Sequence, residues 1–156
     1  MKHTTWTWIP FLAACVASDA PIRVVLPLDS MPAALQQCSR AVPSPITGFW
    51  EPLGSDLEGA PDRIEAALDS ALARLRIGGR VVTAQYGWQY AGIISDGTRL
   101  VYVNGFSSAN ITLLTGLGWD LRYQAGKACD GGVTYFGAVW DPSSHQLSNL
   151  QFNGNG

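Results

Sequence analysis

YGWQYAGIISDGTRLVYVNGF, residues 86–106, decides how the rest of the chain is read. Aromatic and β-branched residues fill both arms, and the pair Asp96-Gly97 between them supplies the positive φ that a tight hairpin turn needs. The side-chain period is two. On the first arm Trp88 and Tyr90 share one face and Gln89 points to the other; on the second, Leu100 and Tyr102 share a face opposite Val101 and Val103. The alternation extends back to Val81, so the stretch predicts a long antiparallel hairpin over 81–106.

Downstream, the connector ANITLLTGLG (109–118) is interrupted by glycines. It leads to WDLRYQAGKA (119–128), CDGG (129–132), VTYFGAVW (133–140), the turn DPSS (141–144) and HQLSNLQFNG (145–154). With the hairpin, these segments predict about five antiparallel strands, each joined to the next. Upstream, PDRIEAALDSALARLRIGG (61–79) places Ile64, Leu68, Ala71, Leu72 and Leu75 on one stripe at spacings of three and four. Pro61 suits the first turn of this helix, acids lie near its start and arginines near its end, and Gly78-Gly79 terminates it. Ser55 with Glu58 offers an alternative, earlier start. The expected fold class is α+β: one helix packed on an antiparallel meander sheet of about five strands.

Residues 16–52 are proline-rich: Pro21, Pro27, Pro32, Pro43, Pro45 and Pro52. No helical or alternating pattern survives there for long. Ile22–Leu28 can form an edge strand, ITGFWEP (46–52) can dock on the core, and the remainder reads as a tether. The chain of 156 residues is long enough for one domain, with 47% hydrophobic and 14% charged residues and a net charge of −2. That charge, with no basic block, speaks against a nucleic-acid partner.

The N-terminus carries Lys2, an apolar run over 4–14 too short to span a bilayer, and then small residues, the order of an export signal. Leu12-Ala13-Ala14-Cys15 resembles the bacterial lipobox. The resemblance implies a diacylglycerol on the Cys15 thiol and cleavage just before it, which divides the chain into a signal peptide (1–14), a proline-rich tether (15–46) and an α+β domain (47–156). Ordinary secretion, with a cut after Ala17 or Ala20, is the competing reading. Val16 is not the retention residue of that signal, so in a host with two membranes the expectation is the outer membrane, facing the periplasm. With Cys15 assigned to lipid, Cys38 and Cys129 remain as a pair in an oxidising compartment, and a bridge between them is expected. No C-x-x-C occurs, and His145 is the one histidine beyond the signal, so neither a metal nor a cofactor is expected.

The strings QYAGI, DGTRLVYVNGF, CDGG and WDPSSHQLSNLQFNG together resemble a family of small exported bacterial proteins of uncharacterised activity. The resemblance covers about 47–154 and implies an α+β domain without implying a reaction. In that pattern a cysteine often follows VNGF and could pair with the one in CDGG; Ser107 stands there in this chain. The order of one helix followed by a meander also looks like cystatin-type folds, which implies nothing about function.

Chemistry is sparsely marked. Asp141, Ser143, Ser144 and His145 fall in one turn, where a triad would lack a scaffold to orient it. Glu51, Asp120 and Asp130 are carboxylates without a motif. Asp130 in CDGG can line a backbone nest for an anion or simply hold a turn. Trp88, Tyr90 and Tyr102, with Asp130, are the candidate binding residues. If one helix covers one sheet face, rings on the other form a patch for an envelope protein or glycan, unless the proline-rich segment covers them. The expectation is a lipid-anchored envelope protein acting by binding. The alternative is a small envelope hydrolase using a carboxylate or His145.

Overall fold

A computed structural model describes residues 21–77, 80–81 and 85–154. The signal peptide and Cys15 lie outside the described residues, as do Gly78 and Gly79. In chain order the elements are β1 (Arg23–Val25), α1 (Met31–Ala34), β2 (Ile46–Trp50), α2 (Ala60–Arg74), β3 (Arg76–Ile77), β4 (Arg80–Val81), β5 (Tyr86–Ser95), β6 (Thr98–Ser107), α3 (Ser108–Gly116), β7 (Tyr135–Asp141) and β8 (Gln146–Phe152).

The hairpin is the centre of the sheet. β5 and β6 pair antiparallel over their whole length, from Tyr86↔Ser107 to Ser95↔Thr98. Asp96 and Gly97 both take positive φ, 47° and 75°, as the turn requires. β6, β7 and β8 then follow as a meander, and β1 and β2 both pair with β5 at its other side. The fold is α+β, with one main helix packed on a six-stranded sheet. Two details differ from the all-antiparallel expectation. β1 runs parallel to β5, with Arg23 beside Trp88 and Val25 beside Tyr90, so the sheet is mixed. Residues 119–128 form turns rather than a strand, and β1 and β2 supply the additional strands instead.

α2 follows its sequence pattern. Gly59 takes the left-handed conformation (φ 75°) just before it, Pro61 occupies its first turn, and Ala60, Ile64, Leu68 and Leu72 are its buried stripe. It ends at Arg74, before the small β3–β4 hairpin. Its apolar face packs on Trp88, Tyr90, Val101, Val103, Phe136, Ala138 and Trp140. The indole N–H of Trp140 donates to the Asp56 carbonyl (2.8 Å), which fixes the turn leading into the helix.

The tether reading of 15–46 is overturned for its described part, 21–46. Leu26, Met31 and Ala34 are fully buried on the sheet face away from α2, against Ala91, Ile93, Tyr102 and Val139. Proline did not prevent this because of where it sits. Pro27 follows β1, and Pro32 lies in the first turn of α1, positions that need no backbone N–H donor. The sheet is therefore covered on both faces.

The 109–118 segment is likewise a helix rather than a connector. The Ser107 side chain accepts from the Asn110 N–H (3.4 Å) at the start of α3. At its end Gly118 takes φ 88° and the Trp119 N–H returns to the Leu114 carbonyl (3.0 Å). The glycines close the helix rather than interrupt it.

Candidate functional site

The aromatic residues expected to form an exposed patch are core. Trp88 and Tyr90 are 1% and 3% exposed and lie beneath α2, not on an open face. Alternation placed them together correctly, but the helix covers the face they share. Trp88 packs edge-on to Tyr90 and Phe136, with ring centroids 6.5 and 6.4 Å apart. Arg23 of β1 lies over the Trp88 ring at 4.6 Å and forms an ion pair with Glu65 of α2, closing the sheet edge over the aromatic layer. The Trp88 indole nitrogen and the Tyr90 hydroxyl are buried, and among the described residues neither has a partner at hydrogen-bond geometry. Burial raises the Tyr90 pKa above its ordinary value, partly offset by the adjacent Trp88 indole N–H and then by Arg23. The neighbouring Tyr86 hydroxyl donates to the Val133 carbonyl (2.5 Å), and burial pushes its pKa up to about 12.

Tyr102 is buried on the opposite face, in a polar network that no sequence motif marks. Arg40, 7% exposed, donates from Nε to the Tyr102 hydroxyl (2.9 Å), from one terminal nitrogen to Asn153 Oδ1 (2.5 Å) and from the other to Asn104 Oδ1. Asn104 donates to Gln89 Oε1 (3.1 Å) and to the Gly126 carbonyl (2.8 Å). Gln89 donates to the carbonyls of Leu121 (2.6 Å) and Gln124 (2.7 Å) and accepts from the Gly126 N–H (3.0 Å). Fully satisfied side-chain amides thus bind the 121–126 turns to the sheet. Burial raises the Tyr102 pKa, with Arg40 opposing it. The β-periodicity assigned Gln89 to the second face but gave no sign that Arg40, over sixty residues away from Tyr102, would meet that face.

Cys38 and Cys129 are bonded beside this network, with Cα atoms 4.5 Å apart. Asp130 is exposed next to the bridge; its backbone carbonyl accepts from Asn153 Nδ2 (3.2 Å), so its structural contact is through the main chain.

The DPSSH turn does not pair a serine with its histidine. Both Ser143 and Ser144 hydroxyls donate to the Asp141 carboxylate (2.7 and 2.8 Å), and these bonds hold its pKa below the usual value. His145 instead sets its ring edge-on to Trp140 (centroids 5.8 Å apart), and its Nδ1 lies 3.3 Å from the Glu58 carbonyl. Among the other carboxylates, Asp120 is clasped by Arg122 through two hydrogen bonds (2.9 and 2.8 Å), which lower its pKa. Glu51 and Asp130 lie on separate segments and, among the described residues, share no side-chain partner with it. Among the described residues no cluster of histidine, cysteine or carboxylate groups is arranged to hold a metal ion.

Two surface features bear on binding. An open polar groove of about 620 Å³ runs between α2 and β8, a sheet-edge strand. Arg63, Gln146, Ser148 and Asn149 provide its hydrogen-bonding groups, and Ala66, Ala67, Leu147 and Leu150 its apolar lining. Separately, Leu113, Leu117, Trp119 and Tyr123 are exposed around the end of α3, next to a smaller groove of about 440 Å³ reaching Ile22 and Val24. No family model, curated protein or solved structure matches this chain.

Proposed function

We propose that the chain is a bacterial envelope lipoprotein, anchored through a diacylglycerol on Cys15, whose domain acts by binding a protein or glycan. The observation that carries the binding part is the groove beside β8. It combines an edge strand with polar side chains from α2 and from the strand itself, a surface suited to an extended peptide or a sugar chain. It replaces the Trp88/Tyr90 face, which is buried. The anchoring part rests on the LAAC motif, followed within a few residues by the start of the domain at β1.

Intact mass of the protein from its host tests the anchor. The expected product begins at an acylated Cys15, and Cys15→Ala releases the domain from membranes without lowering its Tm. A product beginning at residue 18 or 21 sinks the lipoprotein reading. For the groove, a photo-crosslinking residue at position 148 in cells should capture an envelope component that the same residue at exposed position 51 does not. Equal capture at both positions, or none at 148, removes the groove from consideration.

A further inference from the structure

We propose that α3 and the turn after it form a second membrane contact, seated in the lipid headgroup region of the bilayer that holds the anchor. This inference rests on the Cys15 anchor proposed above. Four of the six large apolar side chains exposed among the described residues fall between positions 113 and 123: Leu113 (57%), Leu117 (68%), Trp119 (39%) and Tyr123 (60%). α3 itself buries no residue, although leucine, isoleucine and threonine make up most of its length. A surface helix ordinarily hides an apolar stripe and shows a polar face; this one shows apolar groups to its surroundings.

The patch stands where the chain enters the domain. The Ser108 N–H and hydroxyl both bond the Gln85 carbonyl at the start of β5. On the same strand Gly87 lies so close to Ile22 that an added Cβ would come within 2.6 Å of the Ile22 carbonyl oxygen and 2.8 Å of the Ile111 side chain. Ile22 and Trp119 line one groove. Six residue steps separate Cys15 from Pro21, a fully extended reach of about 20 Å. A lipid on Cys15 therefore holds this end of the domain against the bilayer, and the end so held carries the exposed apolar helix. Leucine inserted beside tryptophan and tyrosine is the composition that favours the headgroup boundary. The two charges within this segment, Asp120 and Arg122, pair with each other, so the contact depends on apolar insertion and is insensitive to salt.

The test uses the full chain, lipidated in its host and reconstituted into phosphatidylethanolamine–phosphatidylglycerol vesicles containing acyl-brominated lipid, which quenches nearby tryptophan. A chain cut before Cys15 holds four tryptophans, of which Trp50, Trp88 and Trp140 are buried, so quenching reports on Trp119. The expected result is loss of the Trp119 share of the emission, unchanged by added salt. Leu113→Ser with Leu117→Ser should restore that emission while the protein still floats with the vesicles and keeps its Tm. A protein that floats but shows no quenching overturns the inference and leaves the anchor standing; α3 then faces a protein partner. If residues 4–14 are retained by mass and Trp119 is shielded from the lipid, that segment covers α3 and the inference fails. An unmodified Cys15 with no flotation removes both the anchor and the inference.

Discussion

A buried tyrosine hydroxyl ordinarily finds a partner, and among the described residues the Tyr90 hydroxyl has none at hydrogen-bond geometry. Its ring contributes packing under α2, while its oxygen contributes a desolvation cost. Tyr90→Phe is therefore expected to leave the Tm unchanged or raise it. Trp88→Ala, which empties the same layer, should cost about 3–5 kcal/mol. Thermal melts of the two variants check this, and a clear loss of stability in Tyr90→Phe would show that its hydroxyl is bonded in solution. The sequence allowed Trp88 and Tyr90 to be placed on a common face, since alternation in β5 is a local property. It did not tell which face the helix takes. The neighbours on the other side, Ala91, Ile93 and Tyr102, are equally fit for burial, so the pattern is two-sided.

At the scale of elements, α2 and the β5–β8 meander were legible because their signals are local: a 3.6-residue stripe, a period of two, and an Asp-Gly turn. α3 carried local signals as well, Ser107 before it and Gly118 after it, but its glycines read as breaks. The layer formed by residues 21–42 was hidden for another reason. Its burial depends on contacts made across the chain, and its anchor is a charged residue, Arg40, which composition alone places on the surface. Gly137 of β7 shows how tightly that layer is seated. A Cβ there would stand 2.7 Å from Arg40 Nε and 2.7 Å from the Tyr102 hydroxyl. Both groups are buried and bonded to each other, so neither can yield without breaking the network. Gly137→Ala should destabilise the domain by about 1–3 kcal/mol. A urea midpoint equal to that of the parent protein would mean that the Arg40 layer moves freely on the sheet.

Across the whole molecule, the Cys38–Cys129 bridge ties the N-terminal layer to the turns between β6 and β7, 91 residues away in sequence. The N-terminal layer is otherwise held by short elements. β1 has three residues and α1 only four, so neither is stable apart from its packing. Closing a loop of this length restricts the unfolded chain by roughly 4–5 kcal/mol in the entropic account. The bridge also keeps Arg40, two residues from Cys38, against Asn104 and Asn153. Losing it should therefore have two consequences. Cys38→Ser or Cys129→Ser alone is expected to lower global stability by about 2–5 kcal/mol. Beyond that, the N-terminal layer should open locally before the sheet unfolds, because the hairpin and α2 keep their own contacts. Hydrogen exchange distinguishes the two effects. In the bridged protein the amides of Leu26 and Met31, which bond the carbonyls of Tyr90 and Pro27, should be protected along with those of β5. In either serine variant they should exchange well before β5 does. Simultaneous exchange in the variants would show that packing and the Arg40 network alone make the N-terminal layer part of the same cooperative unit.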